Sequence, residues 1–112
     1  MHSNEEWHEF AKWSHRIVDW TAHYRKTIAE RPVRAKLCAG QVAEQIPENP
    51  PQTRESFHAI MADFEAIIMP GITHWQHPRF FAYFPANASP ASVLGEQLAA
   101  GLSVNALIWQ TS

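Results

Sequence analysis

The chain has 112 residues and a formal net charge of -2, with acidic and basic residues interspersed, so nucleic acid is not an expected partner. A hydrophobic content of 46% argues against a disordered chain. The apolar runs are far shorter than the ~20 residues that cross a bilayer, and the polar, acidic N-terminus does not resemble a secretory signal, so we expect a cytoplasmic protein that does not enter a membrane.

The first predicted element is a long amphipathic helix from about Asn4 to Glu30. Ser3 and Glu6 have the spacing of a capping box, and Arg31-Pro32 is a stop signal. The less polar side of this helix carries residues at helical spacing: Trp7, Phe10, Ala11, Ser14, Ile17, Val18, Thr21, Tyr24 and Ile28. Such a helix measures about 40 Å, longer than a compact domain of this size needs. We therefore expect its aromatic side to lie on a partner.

Residues 32–52 show no periodicity, and their prolines predict an extended connection without another regular element. A second helix is predicted from a cap at Thr53 to about Ile68, where Pro70-Gly71 ends it.

A third helix is predicted from Ser89, which can cap it with Pro90 in the first helical position, to about Val104. Its expected buried face consists of Val93, Leu94, Leu98 and Leu102. The fold should therefore be mainly α, with about three helices, a long aromatic loop and at most one short strand in residues 79–84.

The loop between the second and third helices combines aromatic rings with proline. Pro70, Pro78 and Pro85 impose extended or turning backbone, and rings on such backbone are typical of small-molecule pockets. His74 and His77 lie three residues apart, but neither a cysteine nor a carboxylate lies near them in sequence. Hydrogen-bonding loop histidines are therefore the simpler interpretation than a metal site.

Catalytic motifs are absent from the sequence. It contains no Gly-x-Ser-x-Gly and no glycine-rich phosphate loop, and it has four glycines in all. Lys12, Lys26 and Lys36 fall on an exposed helix face or in a polar loop, so none is expected to form a Schiff base. The residues alone leave the loop rings as either pocket walls or packing groups, of which packing is the more common.

Two runs in this loop resemble the pyridoxal-phosphate-dependent aromatic-L-amino-acid decarboxylases, the group II decarboxylases. They are Met-Pro-Gly-Ile-Thr-His-Trp at 69–75 and His-Pro-Arg-Phe-Phe-Ala-Tyr-Phe-Pro at 77–85. The resemblance continues through Asn87, Ser89, Val93-Leu94-Gly95, Leu98, Ala106-Leu107-Ile108-Trp109 and Ser112. It is close over the second half of the chain and rests on the helix pattern in the first half.

The resemblance implies the N-terminal helical arm of a fold-type-I enzyme, without the catalytic α/β domain. Residues 1–85 would form a dimerisation and substrate-wall segment, and residues 86–112 would begin the large cofactor-binding domain. The parent enzyme would be a homodimer joined through the N-terminal helices, and would convert aromatic L-amino acids to arylalkylamines and CO2. Its pyridoxal 5'-phosphate would be held by a lysine outside this chain, so this chain alone would be inactive.

The resemblance also implies a set of substrate-binding residues. In the family, the residues matching Trp75, Tyr83, Phe84 and Pro85 help to form the substrate side of the active site, and the residue matching Leu107 reaches the neighbouring subunit's site. Ala86 stands where Thr or Ser is common, and Leu107 stands where Phe is common. These departures leave the preferred aromatic amino acid open, a larger indole substrate included.

Two alternatives from other functional classes also remain open at this stage. One is a helical module that dimerises through its aromatic side, and the other is a ligand-binding domain that uses the loop from Trp75 to Pro85 without chemistry. Both require a self-sufficient fold, which cooperative unfolding of the isolated chain would reveal.

Overall fold

The structure is a computed structural model that describes residues 1–84, 86 and 88–111, apart from the side chain of Thr111. Pro85, Asn87 and Ser112 lie outside the described residues. The described part contains helices and turns and no strand, so the strand suggested for residues 79–84 is absent there. The chain divides into two compact units, Met1–Phe80 and Phe81–Ser112. None of the described helices combines the length and apolar character needed to span a membrane.

Helix α1 spans Asn4–Thr27 and continues as a 3-10 turn, Ile28–Glu30. Its N-terminus has the predicted capping box, because Ser3 Oγ accepts from the Glu6 amide at 3.2 Å and the Ser3 amide donates to Glu6 Oε2 at 2.7 Å. Arg31 is extended, as a residue before proline should be. Both predicted ends of this helix are therefore confirmed.

A short helix, α2, spans Gln41–Gln45 inside the segment predicted to be irregular. The prediction was wrong because five residues are too few to show a 3.6-residue period. Gly40 starts the helix with a φ of 89°, a left-handed conformation that glycine adopts readily. Ile46 is extended ahead of Pro47, which ends the helix.

Helix α3 spans Phe57–Asp63 and continues through a π-helical segment, Phe64–Ile68, into a 3-10 turn, Met69–Gly71. Ser56 is its N-cap, with Oγ accepting from the Ala59 amide at 3.2 Å, so the predicted cap at Thr53 was wrong by three residues. Ser56 directly precedes Phe57, the first α3 residue whose ring contacts α1, so the cap lies just before the packed part of the helix. The predicted end at Pro70-Gly71 is confirmed.

The first unit is held together by aromatic contacts between α1 and α3. The Trp13 ring lies 5.0 Å from that of Phe57, and the Trp20 ring meets Phe64 edge-on at 5.4 Å. Trp20 Nε1 also donates to Glu65 Oε1 at 2.9 Å. These tryptophans were not among the residues predicted for the packed side of the first helix.

The predicted apolar side of α1 is only partly buried. Ile28 is buried, as is Met69 at the end of the α3 extension. Four large apolar side chains of that side are exposed: Trp7, Phe10, Ile17 and Val18. Helix α1 therefore has one flank that packs within the unit and a second, apolar flank that is exposed in the described residues.

The second unit contains helix α4, Pro90–Leu102, and a 3-10 turn, Trp109–Thr111. Ser89 Oγ accepts from the Ser92 amide at 3.2 Å and Pro90 takes the first turn, which confirms the predicted start. Ser103 ends the helix in a left-handed conformation. The predicted buried face was wrong, since its side chains are exposed: Val93, Leu94, Leu98 and Leu102. The other described residues of this unit do not bury these side chains.

Candidate functional site

The aromatic loop of the first unit is built from two successive turns. The His77 amide donates to the His74 carbonyl oxygen at 3.0 Å, and the Phe80 amide donates to the His77 carbonyl oxygen at 3.0 Å. The loop is joined to the segment after α1 by the His74 amide, which donates to the Val33 carbonyl oxygen at 2.8 Å. Hydrogen bonds therefore fix this loop without regular secondary structure.

The two histidines of the loop are buried, with His74 4% exposed and His77 7% exposed. Nδ1 of His74 lies 2.7 Å from the Tyr24 hydroxyl, and Nδ1 of His77 accepts from the Arg79 amide at 3.0 Å. The prediction of hydrogen-bonding loop histidines is confirmed by these contacts. The described residues contain no group of three or more His, Cys, Asp or Glu side chains arranged for a metal ion.

The polar link between α1 and the loop depends on the protonation of Tyr24 and His74. Burial raises the pKa of Tyr24, and the charges of Arg31 and Arg25 oppose this only in part. Burial lowers the pKa of His74, and the charges of Arg31 and His77 lower it further. Both groups are therefore neutral near pH 7. We assign the Tyr24 hydroxyl as donor and His74 Nδ1 as acceptor across their 2.7 Å contact, because a neutral phenol has a proton to donate and a neutral imidazole has one acceptor nitrogen.

The Tyr24 ring has two further contacts in this unit. The Trp20 ring stacks on it with a centroid distance of 5.3 Å and an interplanar angle of 5°. The Arg31 guanidinium lies 5.4 Å from the centre of the Tyr24 ring, within the range of a cation–π contact. A continuous series of contacts thus runs from α3 through Trp20 and Tyr24 to His74.

Of the predicted substrate-binding residues, Trp75 lies in this loop of the first unit. It lies between the two buried histidines, yet its side chain is 44% exposed. Its ring stacks on Phe80 at 4.9 Å with an interplanar angle of 28°. One face of the indole is therefore supported by the loop, while much of the ring remains accessible.

The other described site residues belong to the second unit, Phe81–Ser112. Tyr83, Phe84 and Leu107 are 81%, 99% and 82% exposed. Tyr83 has a φ of 55°, an uncommon left-handed conformation for an aromatic residue. Pro85, the remaining predicted site residue, lies outside the described residues.

A cavity of about 190 Å³ lies in the first unit, between the segment after α1 and the extension of α3. Its lining includes the ionisable groups Arg31, Glu65 and His74, together with Pro32, Ala35, Met69, Pro70 and Ile72. Trp75, the predicted site residue of this unit, does not line the cavity.

The sequence alone did not predict a role at the site for four residues, Trp20, Tyr24, Arg31 and Glu65. The spacing of four residues between Trp20 and Tyr24 was the one available signal, since it stacks two rings on a helix.

Comparison with known proteins identifies the family. The family described as "Pyridoxal-dependent decarboxylase conserved domain" matches residues 39–112. Tyrosine decarboxylase 4 of Petroselinum crispum is 41% identical over 104 residues, which are 93% of this chain and 20% of that protein. The chain therefore spans about a fifth of the length of this curated relative.

Solved structures give the same result. Catharanthus roseus tryptophan decarboxylase, in complex with L-tryptophan, has a TM-score of 0.87 and 39% identity, covering 94% of this chain and 23% of that chain. Rhodiola rosea 4-hydroxyphenylacetaldehyde synthase has a TM-score of 0.86 and 41% identity, covering 93% of this chain and 22% of that chain.

The residues of this chain do not themselves fit a covalent pyridoxal phosphate site. All three lysines are exposed, namely Lys12, Lys26 and Lys36, and none lines the cavity of the first unit. A Schiff-base lysine needs surroundings that favour its neutral form, which an exposed position does not provide. We therefore assign no catalytic step to these residues.

Sequence and architecture agree on what the chain is. The helical fold corresponds to the N-terminal arm of the solved decarboxylases, as predicted, and the match to the family covers residues 39–112. The chain belongs to the pyridoxal-dependent decarboxylase family.

Proposed function

We propose that this chain is the N-terminal part of an enzyme that uses pyridoxal 5'-phosphate to convert aromatic L-amino acids to arylalkylamines and CO2. The observation that carries the proposal is the match over residues 39–112 to a decarboxylase family, at about 40% identity to relatives named for tyrosine and tryptophan. The cofactor withdraws electrons from the bond that breaks. The residues of this chain would contribute shape and apolar surface to the site.

The proposed substrate wall consists of Trp75, Tyr83, Phe84, Pro85 and Leu107. The exposure of the four described members supports this role, because their surfaces are available to another group. Flat rings favour a flat aromatic side chain through stacked or edge-on contacts, which are worth about 0.5–1.5 kcal/mol beyond burial. Residues 86–112 would begin the large cofactor-binding domain.

The proposed dimer interface is the exposed flank of α1, defined by Trp7, Phe10, Ile17 and Val18. Trp7 and Phe10 meet edge-on at 5.4 Å and together present two rings on the surface. Aromatic residues are enriched in protein interfaces, and contiguous apolar patches on soluble proteins commonly mark contact sites. A two-fold homodimer would bury this flank on both subunits.

The test of the activity uses the complete reading frame that contains these residues, expressed with pyridoxal phosphate in the medium. Tryptophan, tyrosine, phenylalanine and 3,4-dihydroxyphenylalanine are supplied separately, and CO2 and organic product are quantified. We expect one amine per CO2 from at least one substrate. Absence of CO2 release from all four would reject the decarboxylase proposal and favour a non-catalytic helical or ligand-binding module.

A second candidate function concerns the product. The relative from Rhodiola rosea is named an aldehyde synthase and is as similar to this chain as the decarboxylases are. In the same assay under air, formation of an aldehyde, CO2 and ammonia in place of the amine, with O2 consumed as the oxidant and reduced to H2O2, would assign this second function.

The test of the interface compares two substitutions that add one positive charge to α1. Phe10→Lys places the charge within the proposed flank, whereas His15→Lys places it on the exposed polar side of the same helix. We expect sedimentation to show monomers for Phe10→Lys and dimers for His15→Lys. Dimers from both would locate the interface elsewhere. A cytoplasmic location is also part of the proposal, and cell fractionation checks it.

A further inference from the structure

Trp75 occupies the crest of a turn whose two ends are buried. The turn runs from His74 to His77 and is closed by the hydrogen bond between the His77 amide and the His74 carbonyl oxygen. Trp75 directly follows the residue of this loop with the least exposed side chain, His74. The position of the indole is therefore determined largely by how the ends of the turn are held.

The first end is held by two hydrogen bonds to another part of the unit. The His74 amide donates to the Val33 carbonyl oxygen, and His74 Nδ1 accepts from the Tyr24 hydroxyl. The second bond spans 50 residues of sequence and links a side chain of α1 to the turn. At the other end, the bond from the Arg79 amide to His77 Nδ1 is local.

The Tyr24 ring can act as a support because it packs against neighbouring side chains. Trp20 stacks on it, and Trp20 is in turn hydrogen-bonded to Glu65 of the α3 extension. Arg31 covers the ring from the segment after α1. The Tyr24 side chain is thus supported directly by Trp20 and Arg31, and through Trp20 by the α3 extension. Such supporting contacts limit the freedom of a residue in a binding site.

We propose that Tyr24 and His74 are positioning residues, which set the orientation of Trp75 in the aromatic-substrate pocket through the hydrogen bond between the Tyr24 hydroxyl and His74 Nδ1. The role of Trp75 in that pocket rests on the proposed function. Neither Tyr24 nor His74 is required to touch the substrate. Their effect is on substrate binding and on the rigidity of the turn.

The bond should respond to pH in a defined direction. A protonated His74 carries hydrogen on both ring nitrogens, so it can no longer accept from Tyr24. The titratable and charged groups that face His74 are Tyr24 and Arg31 from α1 and the segment after it, His77 from the loop, and Glu65 across the cavity. Protonation should therefore reverse the direction of the bond, with His74 Nδ1 donating to the Tyr24 hydroxyl oxygen at acidic pH.

The central experiment uses the complete enzyme and the substitution Tyr24→Phe, which removes one oxygen atom and keeps the ring. Thr27→Val is the matched control, because it removes an α1 hydroxyl that donates to the His23 carbonyl oxygen at 2.8 Å, away from the loop. Hydrogen exchange of peptides covering residues 74–80 reports on the turn without any need for activity.

We expect Tyr24→Phe to speed exchange of these amides about three- to tenfold, the effect of losing one hydrogen bond. KM for the aromatic substrate should rise by a similar factor of about three to ten while kcat changes less than about twofold. Thr27→Val should alter neither quantity.

Two variants of His74 test whether the effect of Tyr24→Phe comes from the lost hydrogen bond or from altered packing. Asn places an acceptor oxygen near the position of a histidine Nδ1, whereas Leu has similar bulk and no acceptor. His74→Asn should therefore keep exchange and KM near their wild-type values, and His74→Leu should raise both. Equal effects of Asn and Leu would show that the histidine acts only as a packing group.

The outcomes separate this inference from the function on which it rests. Faster exchange with a raised KM in Tyr24→Phe supports the positioning role. Unchanged exchange, or faster exchange with an unchanged KM in an active enzyme, overturns it. An inactive wild-type enzyme instead overturns the proposed function, and the positioning role with it.

Discussion

Gly71 lies so close to Val42 that a Cβ atom at position 71 would be 2.5 Å from Cγ2 of Val42. Gly71 ends the extension of α3, and Val42 is in the short helix α2. The backbone φ of Gly71 is not positive, so the glycine is needed for this close approach and not for its conformational freedom. The contact explains why a five-residue helix without its own periodicity is held in place.

We predict that Gly71→Ala lowers the free energy of unfolding by about 1 kcal/mol, the low end of the range for overpacking, because Val42 can rotate partly away. Adding Val42→Ala should recover part of the loss, since it removes the clashing methyl group. Gly95→Ala is the control, because nothing lies within 4 Å of its added Cβ and alanine favours a helix. Denaturant unfolding measures all four proteins, and a fully stable Gly71→Ala would contradict the predicted clash.

The N-cap of α3 provides a second prediction. Ser56→Ala should cost about 1 kcal/mol of unfolding free energy, because the Ala59 amide loses its acceptor. Thr53→Ala should stay within about 0.5 kcal/mol of wild type, since Thr53 precedes the helix by three residues. Hydrogen exchange in the first turn of α3 locates the effect. A larger loss from Thr53→Ala would mean that the helix starts earlier.

The lowered pKa of His74 predicts a pH dependence of stability. In the unfolded chain His74 has its ordinary pKa of 6.5, whereas in the folded protein burial, Arg31 and His77 lower it. Between these two values the unfolded state binds more protons, so the free energy of unfolding falls as the pH falls below 6.5. The loss is complete once the pH is below the folded-state pKa.

Comparison with His74→Asn isolates this contribution, because asparagine does not titrate. Unfolding free energies of both proteins are measured from about pH 7.5 to about pH 5, where histidine changes charge. The wild-type value should fall more steeply than that of the variant. Parallel curves would show that His74 does not carry the dependence.

Leu107 gives a prediction about substrate preference. Its side chain is largely exposed in its own unit, so a larger residue there can be accommodated without displacing a core. In the complete enzyme, Leu107→Phe should narrow the proposed pocket and lower kcat/KM for L-tryptophan relative to L-tyrosine about tenfold. The ratio of the two kcat/KM values is the measurement.

Leu102→Phe is the control for Leu107→Phe, since it makes the same change on an exposed residue of α4 outside the proposed site. Its kcat/KM ratio should stay within about twofold of wild type. An unchanged ratio in Leu107→Phe would remove this residue from the substrate wall.

The sequence by itself determined the features that depend on neighbours within one helical turn. The capping box of Ser3 and Glu6 and the start of α4 at Ser89-Pro90 are examples, as is the stop at Pro70-Gly71. Each depends on groups no more than four residues apart, so the residue types suffice to predict it. The family resemblance was likewise evident from the order of residues in 69–85, because recognising a sequence motif requires no knowledge of how side chains pack.

Only the tertiary structure decided which side chains of α1 are packed. Trp7 and Phe10 occur at helical spacing just as Trp13 and Trp20 do. Yet Trp13 and Trp20 make ring contacts with α3 and its extension, whereas Trp7 and Phe10 are exposed. Periodicity gives the direction in which a side chain points on its helix, but not where another helix arrives. The bond between Tyr24 and His74 depends on the same long-range approach, because it joins residues 50 positions apart that no local pattern connects.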